Sequence, residues 1–119
     1  MIKYSLAILL LAVFLRFWNL NALPVFADES IYVRWSQVMR AEPSLRFLPL
    51  SDGKQPLLMW TTLLLFKIIS DPLTAARVLS GLAGLGTVAG IAFASQLLFK
   101  NPRLTLIASL TACVLPYLV

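Results

Sequence analysis

Between Leu73 and Phe99 the chain carries one charge, Arg77, and no proline. Such a run can satisfy its backbone hydrogen bonds internally only as a helix. It is also long enough, with some tilt, to cross a hydrocarbon layer about 30 Å thick. Two further apolar runs flank it. The first follows Lys3, extends from Tyr4 to Leu15 and closes on Arg16, Phe17 and Trp18; counted to about Leu20 it reaches spanning length. The second begins at Leu104, after the basic turn Lys100-Asn101-Pro102-Arg103. Only 13% of the 119 residues are charged, against about 25% in an ordinary soluble domain. The pattern predicts an all-α integral membrane protein, with transmembrane helices and short amphipathic juxtamembrane helices in its first outer loop.

The net charge of +5 does not point to nucleic acid, because the basic residues are scattered at the ends of apolar runs and form no patch. They suit topology signals and snorkelling anchors. Arg16 is expected to reach the headgroups and Trp18 to sit in an interfacial belt; the sharper use of Arg16 is to face the loop and bind an anion. The lone Cys113 lies in an apolar run, so no disulfide framework exists. There is no histidine and no Cys/His spacing for a metal. Val25-Phe26-Ala27 offers a signal-peptidase spacing before Asp28, but Arg16 and Trp18 interrupt the region ahead of it, and an uncleaved first helix is expected. The sequence ends inside the hydrophobic run TLIASLTACVLPYLV, which predicts the N-terminal piece of a longer protein.

The longest break in the apolar pattern is Pro24 to Trp60, which holds four of the five acidic residues. Pro24 stops the first helix. Asp28 is placed to cap a second one, with Glu29 at its first position. Ile31, Trp35, Val38 and Met39 then share one face, as on a short helix lying on a membrane surface and ending before Pro43. Glu-Pro, Leu-Pro and Ser-Asp-Gly mark Glu42 to Gly53 as loop. Pro56 suits a first helical position, and the run Leu57 to Ile69 is short enough to be interfacial or re-entrant rather than spanning. The expected layout is a helix at about 3–20, an outer loop with interfacial helices at about 21–72, a helix at about 73–99, and the start of a third crossing at about 104–119. Lys3 and the Lys100/Arg103 turn are basic and acid-free, so both are expected inside, which places the loop outside the cell membrane. Gly86 and Gly90 form a GxxxG pair whose expected use is helix packing within this chain; a homo-oligomer contact is the other use.

Two adjacent carboxylates and a lysine at a membrane surface permit three chemistries. A carboxylate can be a general base, a carboxylate can bind a divalent cation, and a lysine can meet a phosphate as a point charge. Capping is the plainer reading of an acidic pair at a helix start.

Four short motifs occur in order: Leu15-Arg16-Phe17-Trp18-Asn19-Leu20, Asp28-Glu29-Ser30-Ile31-Tyr32, Gly53-Lys54-Gln55-Pro56-Leu57 running into Trp60, and Ala75 to Ser80 ahead of a Gly-rich helix. The order resembles the N-terminal part of the GT-C glycosyltransferases, such as the protein O-mannosyltransferases and lipid A aminoarabinose transferases, over nearly the whole chain. The resemblance implies a multi-spanning enzyme that moves a sugar from a polyprenyl-phosphate carrier to an acceptor outside the cytoplasmic membrane. It implies that Asp28 is the essential aspartate of the first outer loop, with Glu29 the second of the pair. It implies that Lys54 meets the carrier phosphate, and it matches Arg77 to a recurrent arginine, grouped here with the phosphate site. The sequence departs from the family at Gln55, where relatives often carry proline. It departs again at Gly53, where some carry a metal-binding acid, with Asp52 one step away; a divalent metal therefore stays open and no cofactor is assigned. The family's further acidic residues would lie beyond Val119. The alternative is a small non-catalytic membrane subunit or assembly protein whose loop binds a partner. A transporter fragment is weaker, because the acidic pair would then have to line a path across the membrane.

Overall fold

A computed structural model describes residues 2–22 and 24–115. Among these it contains five α-helices and no strand: α1 (Ile2–Phe17), α2 (Ala27–Ala41), α3 (Leu57–Leu65), α4 (Pro72–Phe99) and α5 (Pro102–Val114), with two short 3-10 turns, Pro43–Leu45 and Leu48–Asp52, between α2 and α3. The expected all-helical class is found. Residues 116–119 of the expected third crossing lie outside the described residues.

The helix ends follow local chemistry. Asn19, in the left-handed region at φ 60°, closes α1 three residues short of the expected Leu20. Asp71 and Pro72 start α4. The Asp71 carboxylate accepts the Thr74 N–H at 2.7 Å, and Pro72 occupies a position that needs no donor. Asn101-Pro102 repeats the device for α5, with Asn101 Oδ1 accepting the Arg103 N–H at 3.0 Å.

The chain divides into two compact units, residues 1–19 with 80–119 and residues 20–79. In the first, α1 packs on α5, and a small core forms from Ala12, Val88, Ala112 and Cys113, flanked by Ile8, Leu85 and Ile91. The small side chains let the helices approach closely. Gly81 is part of this economy, since a Cβ there would lie 3.0 Å from the Phe17 ring. Gly86 and Gly90 are not: among the described residues a Cβ at either would meet nothing within 4 Å, so the expected packing of the GxxxG pair within the chain is not found there. Arg16 also departs from expectation. It is 7% exposed rather than snorkelling outward, and its two terminal nitrogens donate to the carbonyls of Ala112 and Cys113 at 3.4 Å. These carbonyls lie in the last turn of α5, where a cation opposes the negative end of the helix dipole.

α4 is the one described helix long and apolar enough to cross a membrane, and only 17% of its apolar window is buried. Ser5–Phe17 and Pro102–Val114 are apolar but shorter.

In the second unit α2 packs on α3. Ser36 and Met39 of α2 are buried, as are Met59, Thr62 and Phe66 on the α3 side. The expected apolar face of α2 is therefore turned: Met39 belongs to it, but Ser36 shares the contact and Ile31 is exposed. Serine fits there because it is small and its hydroxyl donates to the Tyr32 carbonyl at 2.9 Å. The Arg40 guanidinium lies 5.7 Å from the Phe66 ring centre and adds a cation–π contact. The Trp60 indole N–H donates to the Arg46 carbonyl at 2.9 Å while Phe47 meets its ring edge-on. Gly53, at φ 68°, reverses the chain after the second 3-10 turn, a conformation that costs glycine least.

Candidate functional site

The acidic pair sits in the first turn of α2, one position apart but in different circumstances. The link before the helix is extended through Phe26 (φ −82°, ψ 153°), which serves as N-cap without a side-chain bond. Asp28 is therefore inside the helix at its second position and does not cap it, which corrects the expectation. It is exposed, and among the described residues its side chain makes no hydrogen bond or ion pair.

Glu29, at the third position, is committed. Its Oε1 accepts from Arg77 Nε at 2.7 Å and its Oε2 from Arg77 Nη2 at 2.9 Å. The fork of a guanidinium matches a carboxylate in this way, and such bonds are about twice as strong as neutral ones. The pair is part-buried, the Arg77 side chain at 10% and Glu29 at 26% exposure. Arg77 holds the Glu29 carboxyl below its ordinary value, mainly through these bonds and further through its charge, with a smaller contribution from the Phe26 N–H and against the opposing effect of burial.

Arg77 does more than hold Glu29. Its Nη1 donates to the Leu20 carbonyl at 2.8 Å. Beside it, Asn21 Nδ2 donates to Thr74 Oγ1 at 3.1 Å, and the Thr74 hydroxyl donates to Asp71 Oδ2 at 2.5 Å. The Thr74 hydroxyl and N–H hold the Asp71 carboxyl below its ordinary value. The first turns of α4 therefore fasten both the link at residues 20–21 and the start of α2. Three of the Arg77 nitrogens are directed to Glu29 and Leu20, not to an open surface as a phosphate ligand would be.

Lys54 follows Gly53 in the turn ahead of α3. Its N–H donates to the Pro49 carbonyl at 3.0 Å, and its side chain is exposed and makes no ion pair among the described residues. The structure thus brings Glu29 and Arg77 together and leaves the Asp28 and Lys54 side chains uncommitted.

Leu20, Asn21, Asp71 and Thr74 were not foreseen as parts of this arrangement. The Asp-Pro-Leu-Thr run carries a helix-start signature that could have exposed two of them; the backbone carbonyl of Leu20 carries none. Among the described residues no group of three or more His, Cys, Asp or Glu side chains could hold a metal ion. No protein-family model, curated protein or solved structure matches the chain.

Proposed function

We propose that this chain forms the N-terminal part of a membrane glycosyltransferase that moves a sugar from a polyprenyl-phosphate carrier to a lipid, glycan or protein acceptor outside the cytoplasmic membrane. The observation that carries the reading is the contrast within the acidic pair. Arg77 locks Glu29 and thereby the first turn of α2, while Asp28 on that same turn is exposed and uncommitted. A positioned carboxylate with no structural duty is what a general base requires. The order of the four motifs and the uncovered apolar surface of α4 support the membrane setting.

In this reading the acceptor oxygen or nitrogen attacks the anomeric carbon of the carrier-linked sugar. The bond from that carbon to the phosphate oxygen breaks with inversion, and the polyprenyl phosphate departs with the electron pair. Asp28 takes the proton lost by the acceptor. Lys54 balances the charge gathering on the departing phosphate. Glu29 and Arg77 act as positioning residues. The test is Asp28→Asn in the complete protein, assayed for sugar transfer from the lipid donor: loss of transfer with normal accumulation of folded protein supports the reading, and full transfer overturns it.

The open face at Gly86 and Gly90 favours a second reading, a non-catalytic membrane subunit that associates through this helix. It predicts normal transfer in Asp28→Asn and lost association when Gly86 is enlarged.

A further inference from the structure

On α3 and its C-cap, the buried residues are Met59, Thr62 and Phe66, spaced three and four apart. The opposite side carries Leu57, Thr61 and Leu64, and the turn that continues the helix carries Ile68. Leu57 is 66% exposed, Leu64 62% and Ile68 82%. At 100° per residue this second stripe lies about half a turn from the first. Apart from Thr61 the face is aliphatic, and its three aliphatic side chains are left exposed among the described residues.

We infer that this outer face of α3 is immersed in the lipid bilayer, so that α3, and not α2, seats the loop on the membrane. The inference rests on the membrane reading above and goes beyond it by naming the face and its depth.

Three observations select lipid as the occupant. First, the face offers no unmet donor. The Thr61 hydroxyl lies 2.9 Å from the carbonyls of Leu57 and Leu58, and the Thr62 hydroxyl on the buried side donates to Leu58 at 2.7 Å. The Trp60 N–H is already held by Arg46. Hydrocarbon requires such internal satisfaction, whereas a polar protein partner gains nothing from it. Second, the stripe is bracketed by exposed lysines, Lys54 ahead of Leu57 and Lys67 beside Ile68. Their stems can lie along an apolar surface while their ammonium groups meet anionic headgroups. Third, a short link joins α3 to α4, the apolar helix of spanning length.

The consequence concerns height. Packed helix axes lie about 8–10 Å apart. With α3 in the interface, α2 and its Asp28 stand about one helix layer farther out, while Lys54, at the edge of the stripe, lies at headgroup level. That is the level at which the phosphate of a lipid carrier sits.

The test uses the full chain with Cys113→Ala, reconstituted in vesicles of phosphatidylglycerol and phosphatidylethanolamine. Single spin labels are placed at Leu64→Cys and Ile68→Cys, at Ser51→Cys as an aqueous reference and at Leu98→Cys on α4 as a lipid reference. Oxygen, which partitions into lipid, and a water-soluble nickel chelate report where each label lies. The inference expects the labels at 64 and 68 to collide with oxygen several-fold more than with nickel, as at 98, and the reverse at 51. Nickel-accessible labels at 64 and 68 beside an oxygen-accessible label at 98 overturn the inference and leave the membrane reading standing. Labels at 64 and 68 shielded from both reagents also overturn it, in favour of a protein cover. A nickel-accessible label at 98 removes the membrane reading, and the inference with it.

Discussion

Arg77 grips Glu29 with two nitrogens, at 2.7 and 2.9 Å, and Leu20 with the third, at 2.8 Å. One side chain near the start of α4 thereby fixes the end of the link from α1 and the first turn of α2. Lysine has a single ammonium and cannot reproduce the fork. Arg77→Lys and Glu29→Gln are each expected to lower stability by about 1–3 kcal/mol, the range for charge-assisted bonds and the groups they leave behind. Thermal unfolding in detergent measures it. The double variant should lose less than the sum of the two singles, because both remove the same contact.

The pair also sets an acid limit. The folded Glu29 carboxyl lies below its ordinary value of 4.5. The stabilisation from its charged form is complete above that value and is lost as the pH falls through the lowered folded-state value. The stability gap between the parent and Glu29→Gln should be constant above 4.5 and should narrow below it. A gap that persists unchanged into strong acid would show that the loss is steric.

Asp28→Asn separates catalysis from capping. Since Phe26 is the N-cap and Asp28 makes no bond among the described residues, the substitution should leave the melting temperature within about 0.5 kcal/mol of stability equivalent. Sugar transfer should fall by about 10²–10⁴-fold, the usual contribution of a general base. A drop in folded protein matching the drop in transfer would return Asp28 to a structural role.

Lys54→Ala should act on the donor. The side chain is exposed and unpaired among the described residues, so the fold should survive, and the apparent KM for the lipid-phosphate donor should rise well above any change in the acceptor KM. Equal changes for both substrates would count against a phosphate contact.

The glycines of α4 should divide. Gly81→Leu drives a side chain into the Phe17 ring and is expected to cost about 1–3 kcal/mol. Gly86→Ala and Gly90→Ala meet open space and should leave the monomer as stable or slightly more stable, alanine being the better helix former. Crosslinking in membranes then reads whether the open pair serves association: Gly86→Leu should abolish a dimer if one forms through this face.

The four short motifs can be read from the chain, but the work done by their residues cannot. Glu29 and Arg77 are 48 residues apart, and neither position carries a local signal of the other. Arg16 reads as a snorkelling residue because an isolated helix end offers it nothing better; the carbonyls of the last turn of α5, 96 and 97 residues away, come within its reach only once the helices pack. Asp28 reads as a cap because an acid favours a helix start, but the extended link ends at Phe26, which places Asp28 inside α2.

The sequence by itself determined the helices, their order and most of their ends. Apolar period, proline position and the Asp-Pro and Asn-Pro starts act within a few residues of chain, where the covalent connection fixes who meets whom. Only the tertiary structure decided which glycine is packed, which face of α3 is left bare, which acid is bound and which is free. Those choices depend on side chains brought together across tens of residues, and the same residue types would allow several other pairings.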